Sequence, residues 1–267
     1  MVIGRMQGAA SVGYFNLPLR ILMYAADAVS RVGIVASAQA AEFSAKGRLE
    51  AVARLGIYAN RYCFTLYMPL AMLVLVYGRE LIQLWVGTEY VIHSAPLLPV
   101  MLMGTAFTTA GQFTSSSLLF GMGKHRNYAY FLLAEAAANI AGLILVIPRY
   151  GLMGAAIVAV SLMTLVRGLI TPWLVCRLLH FSYIVYMRSI FLRPLLTALP
   201  VVILLYWLKW HWWPGATWMQ LFAVSAITAL LYYGAAYFTC LEDEHKALLR
   251  DSVSKIWHRM LPPRSSF

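Results

Sequence analysis

Apolar residues fill this chain in long stretches, and polar positions collect at the breaks between them. A helix needs about 20 residues to cross the roughly 30 Å hydrocarbon core of a bilayer. Stretches near that length are predicted over residues 12–38, 58–77, 95–121, 128–147, 152–176, 191–208 and 217–240. The breaks are short, which predicts a compact bundle of antiparallel neighbours. The first stretch is unusually polar for a membrane span.

Cations at the breaks alternate. Lys46, Arg48, Arg54 and Arg61 cluster after the first stretch, Lys124 and Arg126 after the third, and Arg177, Arg188 and Arg193 after the fifth. Lys246, Arg250, Lys255, Arg259 and Arg264 follow the seventh, whereas Arg5, Arg79, Arg149 and Lys209 are all that the opposite breaks hold. Cytoplasmic loops retain Lys and Arg and translocated loops avoid them. The alternation therefore predicts a multi-pass membrane protein with its N-terminus outside and its C-terminus in the cytoplasm. The expected fold class is an all-α integral membrane protein of about seven transmembrane helices.

Composition agrees. Of 267 residues 61% are hydrophobic and 12% charged, with mean hydropathy +0.72, against roughly 25% charged in soluble domains. The net charge of +11 would fit a nucleic-acid surface, but its placement by loop assigns it to topology. The bilayer is the expected partner, and no nucleic acid is. Cys63, Cys176 and Cys240 each lie near a cytoplasmic helix end in no CxxC pattern, so they read as packing residues rather than a disulfide or zinc framework. The N-terminal run lacks a basic start, clean apolar core and cleavage site, so it is read as no signal peptide. Trp85, Tyr90, Tyr150 and the WHWWP run at 210–214 mark an outer interface belt.

Charges inside the stretches are the candidate chemistry, because each costs on the order of 3 kcal/mol at bilayer depth. Arg20, Asp27 and Arg31 are spaced by seven and four residues and so share one helix face. Two readings stand. Asp27 and Arg31 pair as i,i+4 neighbours while Arg20 snorkels to the outer headgroups; or the face lines a cationic aqueous cavity suited to an anionic substrate, since guanidinium binds phosphate by paired, planar hydrogen bonds. Glu135 and Arg167 either pair across adjacent helices or join the same cavity, with Asn139 one turn beyond Glu135 extending the polar face. The hydroxyl-rich run from Thr105 to Ser117 offers either sugar-binding hydroxyls or, more commonly for such residues, helix-to-helix hydrogen bonds.

No metal set, phosphate loop, dinucleotide fingerprint or nucleophile elbow occurs. The chain is therefore not expected to be an enzyme or to carry a cofactor, beyond a coupling proton or sodium ion. The tail, 241–267, alternates basic and apolar residues in a manner expected of an amphipathic helix on the cytoplasmic leaflet.

Several stretches in order resemble the Wzx-type polysaccharide flippases, of the MOP superfamily that also holds the MATE exporters and lipid II flippases. They are VGYFN at 12–16, AKGR at 45–48, GRELIQLWVG at 78–87 with Glu89 and Tyr90, LFGMGK at 119–124, and IPRYGLMGAA at 147–156. The resemblance covers roughly residues 12–176. It implies one lobe of a two-lobe transporter plus two extra C-terminal helices, moving a polyprenyl-pyrophosphate-linked oligosaccharide by alternating access in cell-surface polysaccharide (O-antigen or exopolysaccharide) biosynthesis. A single lobe cannot enclose a cavity, so it implies a second lobe from a neighbouring chain, or a truncated product. The alternatives are an ion-coupled MATE-like exporter with Asp27 and Glu135 as coupling carboxylates, an envelope enzyme acting through His93, and a non-catalytic partner subunit pairing through the face from Gly151 to Ala156.

Overall fold

The structure is a computed structural model that describes residues 2–212, 217–243 and 245–247; the side chains of residues 25, 28, 30, 32–33 and 109–113 are not described. Among the described residues all regular structure is helical. The helices are α1 (Val2–Gln7), α2 (Ala9–Ala45), α3 (Leu49–Val86), α4 (Thr88–Ser94), α5 (Leu97–Gly121), α6 (Arg126–Met163), α7 (Thr171–Leu178), α8 (Tyr183–His211) and α9 (Trp218–Thr239), with a π-helical segment (Thr164–Ile170) joining α6 to α7.

Among the described residues, four helical runs are long and apolar enough to cross a membrane, and a fifth is added if α4 and the first part of α5, bent by 59°, count as one broken span. The chain is an all-α membrane protein. α2 and the second part of α5 hold side chains outside the described residues and are not counted among these runs. The longest, Arg126–Leu178, is 53 residues and is not one straight rod. Gly151 (φ 57°, ψ −144°) breaks it, a backbone setting that glycine reaches without a Cβ clash. The chain then doubles back, for Gly142 faces Val158 and Glu135 meets Arg167. This break separates the predicted stretches 128–147 and 152–176.

α3 is the axis of the bundle. It packs on α2 and α5 on one side and on α8 and α9 on the other. Phe64, Met72, Tyr186, Leu205, Val224 and Tyr232 build the core toward α8 and α9, and Leu22, Tyr67, Ile82, Leu97 and Met101 the core toward α2 and α5. A third cluster, with Ala40, Val52, Leu118, Tyr128 and Val175, closes the cation-rich end. Outside, Leu133, Leu145, Ile203, Leu230 and Phe238 are all exposed. In water so much apolar surface would mark an interface or an aggregation site; here the bilayer covers it. All three cysteines are free and buried.

Several aromatic and basic positions acquire defined contacts. Trp207 stacks on His211 near Trp212 at the end of α8. Trp213 and the predicted amphipathic stretch from Leu248 to Met260 lie outside the described residues. Lys209, expected in an outer loop, ends α8 by reaching across to Glu80 at 2.7 Å and the Val76 carbonyl at 2.6 Å. It clamps α8 to α3.

Candidate functional site

α2 is two-sided. Leu22, Ala26, Val29, Ala36 and Ala40 are buried against α3 and α5, while Asn16, Arg20, Asp27, Arg31 and Gln39 are exposed on the opposite side. The small residues cause the close seat: Gly121 of α5 lies under Ser37 and Ala40. Tyr24, between Arg20 and Asp27, and Ile34, one turn past Arg31, are also uncovered, at 61% and 68% exposure. Arg20, Asp27 and Arg31 therefore form a charged face on the open side of the bundle, with Asp27 at the middle of the helix.

Glu135, Asn139 and Arg167 are placed elsewhere, on the hairpin made by α6 and the π-helical segment. Arg167 Nε donates to both carboxylate oxygens of Glu135 at 3.0 Å, and Glu135 is buried. Of the two readings open from the sequence, cross-helix pairing is the one observed. The wide π turn puts Arg167 on the α6 side, and Thr171 Oγ1 donates to the Val166 carbonyl five residues back. One turn away, Asn139 Oδ1 and Thr164 Oγ1 are buried without a hydrogen-bond partner. The antiparallel register set by Gly142 against Val158 and by Glu135 against Arg167 brings Asn139 and Thr164 to the same level.

Sequence reasoning missed three polar clusters. Asn60 Nδ2 donates to Tyr186 Oη at 2.7 Å and to Ser115 Oγ at 3.3 Å, tying α3, α5 and α8 at a point where all three residues are buried. Arg61, expected with the loop cations, is buried in α3 and donates to the Ser189 and Cys240 carbonyls and to Glu242 at 2.8 Å. The signal was present, because Asn60 and Arg61 fall inside the stretch 58–77. The third cluster is the Lys209–Glu80 clamp. Glu242 outside the spans also accepts from Arg193 at 3.0 Å. The Arg61 hydrogen bond and the nearby Arg193 charge hold its carboxyl below the ordinary value of 4.5, against partial desolvation.

The remaining candidates have structural contacts. Thr105 and Thr108 donate to carbonyls of their own helix, and Tyr67 bonds to Thr105 at 3.0 Å. Gln112 and Thr109 side chains lie outside the described residues. His93 stacks on Tyr14 with ring centroids 4.5 Å apart, and Tyr14 donates to Glu89, so this corner joins α4 to α2. No group of His, Cys, Asp or Glu fit to hold a metal occurs among the described residues.

Comparison with known proteins finds 25% identity over 181 residues to the "Putative O-antigen transporter" of Shigella flexneri. That alignment takes in 66% of this chain and 41% of the relative, so the chain spans about two fifths of the relative's length. No family model matches the chain, and no solved structure does. The apolar helices support a multi-pass membrane protein.

Proposed function

We propose that this chain forms one lobe of a Wzx-like flippase that moves a polyprenyl-pyrophosphate-linked oligosaccharide across a bacterial inner membrane, cation-rich end in the cytoplasm, for surface polysaccharide assembly. The charged face of α2 carries the reading. A charge facing lipid at bilayer depth costs on the order of 3 kcal/mol, and Arg20, Asp27 and Arg31 lie together on the uncovered side of α2, which supports water or a second lobe there. A second lobe opposite α2 would enclose a cavity with two guanidinium groups for each carboxylate.

In that cavity Arg20 and Arg31 attract the pyrophosphate by paired hydrogen bonds, Asp27 sets their spacing, and the polyprenyl tail remains in lipid. The Glu135–Arg167 pair, with Asn139 beside it, holds the α6 hairpin. Ion-coupled export through Asp27 and Glu135 is less well supported, because both Glu135 oxygens already accept from Arg167. A proton or sodium ion as driving ion belongs to the proposal and rests on no observed site.

The test uses a complete transporter carrying this lobe in a strain that lacks its own flippase. Arg20→Gln with Arg31→Gln should abolish surface polysaccharide at unchanged protein level. Full complementation would overturn the cavity role of α2.

A further inference from the structure

A second cationic site lies at the cation-rich end of the bundle, on the far side of α3 from α2. A cavity of about 330 Å³ opens there between α3 and α8, lined by Arg61, Val185, Arg188, Ser189, Leu192 and Arg193. We propose that it binds the phosphate headgroup of an anionic phospholipid, independently of the flippase reading.

Charge is the first argument. Three guanidinium groups line the cavity, and Glu242 is shared by Arg61 and Arg193. Among the described residues, three cations there have one paired carboxylate. Arg188 has no ion pair or hydrogen bond among the described residues and is exposed.

Rigidity is the second. Arg61 is 5% exposed and pinned by the Ser189 and Cys240 carbonyls as well as by Glu242, so the inner wall of the cavity is a fixed guanidinium rather than a mobile surface chain. Nε and Nη1 are taken by these partners, and Nη2, held in place with them, is left to meet a phosphate oxygen at little further ordering cost. The cavity also sits in the N-terminal half of α8, a helix that starts at Tyr183.

The third argument selects a lipid over a soluble anion. Val185 and Leu192 flank Arg188 and Ser189 at helical spacing on α8 and are 49% and 39% exposed. An acyl chain would lie along them while its phosphate meets the arginines. The level fits as well, since α9 ends at Thr239 and its following residues, Cys240 and Glu242, contact Arg61. Basic pockets between helices on the cytoplasmic side suit anionic headgroups.

The detergent-solubilised full chain is titrated with phosphatidylglycerol in native mass measurements, with phosphatidylcholine and inorganic phosphate as comparison arms. Expected is retention of phosphatidylglycerol over phosphatidylcholine, no displacement by equimolar phosphate, and roughly tenfold weaker binding in Arg188→Gln with Arg193→Gln. Arg188→Gln alone, which removes no hydrogen bond or ion pair among the described residues, should weaken binding several-fold while thermal melting stays unchanged. Arg126→Gln, an exposed cation at the same end outside the cavity, should bind as wild type. Undiminished binding in the double variant, equal retention of phosphatidylcholine, displacement by equimolar phosphate, or equal loss in Arg126→Gln would each overturn the proposal.

Discussion

Gly121 shows how single atoms set the position of the charged helix. A Cβ at this position would meet the Ser37 carbonyl oxygen at 2.4 Å and the Ala40 Cβ at 3.2 Å, and neither partner is the end of a flexible side chain. Gly121→Ala must push α2 from α5, at a cost of about 1 to 3 kcal/mol. Thermal melting in detergent checks this against Gly234→Ala, where a Cβ meets nothing within 4 Å; the first should lower the midpoint and the second leave it near wild type. The hydroxyl residues of α5 teach a related lesson. Thr105, Thr108 and Ser115 were visible as polar positions, yet only packing shows that they bond to backbone and to Tyr67 or Tyr186 rather than to an open cavity.

Pairs of elements decide what an intramembrane charge does. Glu135 and Arg167 are separated by 32 residues, and the sequence left their relation open because it depends on the register of the hairpin. Gly151 turns the chain and the π segment rotates Arg167 toward Glu135. Glu135→Gln should weaken the hairpin by about 1 to 3 kcal/mol, less than a fully buried pair would lose, because Arg167 keeps 32% of its side chain exposed. Glu135→Leu with Arg167→Met should cost less than either single change, as read by melting of the four proteins in the double-mutant cycle. A loss in the double variant equal to the sum of the two single losses would show that the two do not act as a pair. α2 is the contrasting case. Its charged face was legible from spacing alone, and the structure adds which side of the bundle it occupies.

At the scale of the molecule, the end of α9 is latched to α3 and α8 through Glu242, Arg61 and Arg193, and Tyr62 bonds to His245 at 2.9 Å. Because the Glu242 carboxyl is held below 4.5, first by the Arg61 hydrogen bond, the folded state favours the charged form. The latch therefore contributes fully above pH 4.5 and is lost as pH falls from there through the depressed value. Limited proteolysis after residue 240 should accelerate as pH drops below about 4.5 in the wild type and be fast and flatter with pH in Glu242→Gln. A flat wild-type profile would rule out this carboxylate as the titrating element of the latch.

The apolar stretches and the alternating cations made the helical class, the membrane setting and the charged face of α2 legible, because each follows from local periodicity and from what lipid excludes. Even so, residue order could not say what Arg61 bonds to, pair Glu135 with Arg167, join Asn60 to Ser115 and Tyr186, or gather Arg61, Arg188 and Arg193 around one cavity. Those contacts join residues 32 to 181 positions apart or lie between separate helices. They are settled only when close helix approach, glycine breaks and the π turn fix how the rods are rotated against one another.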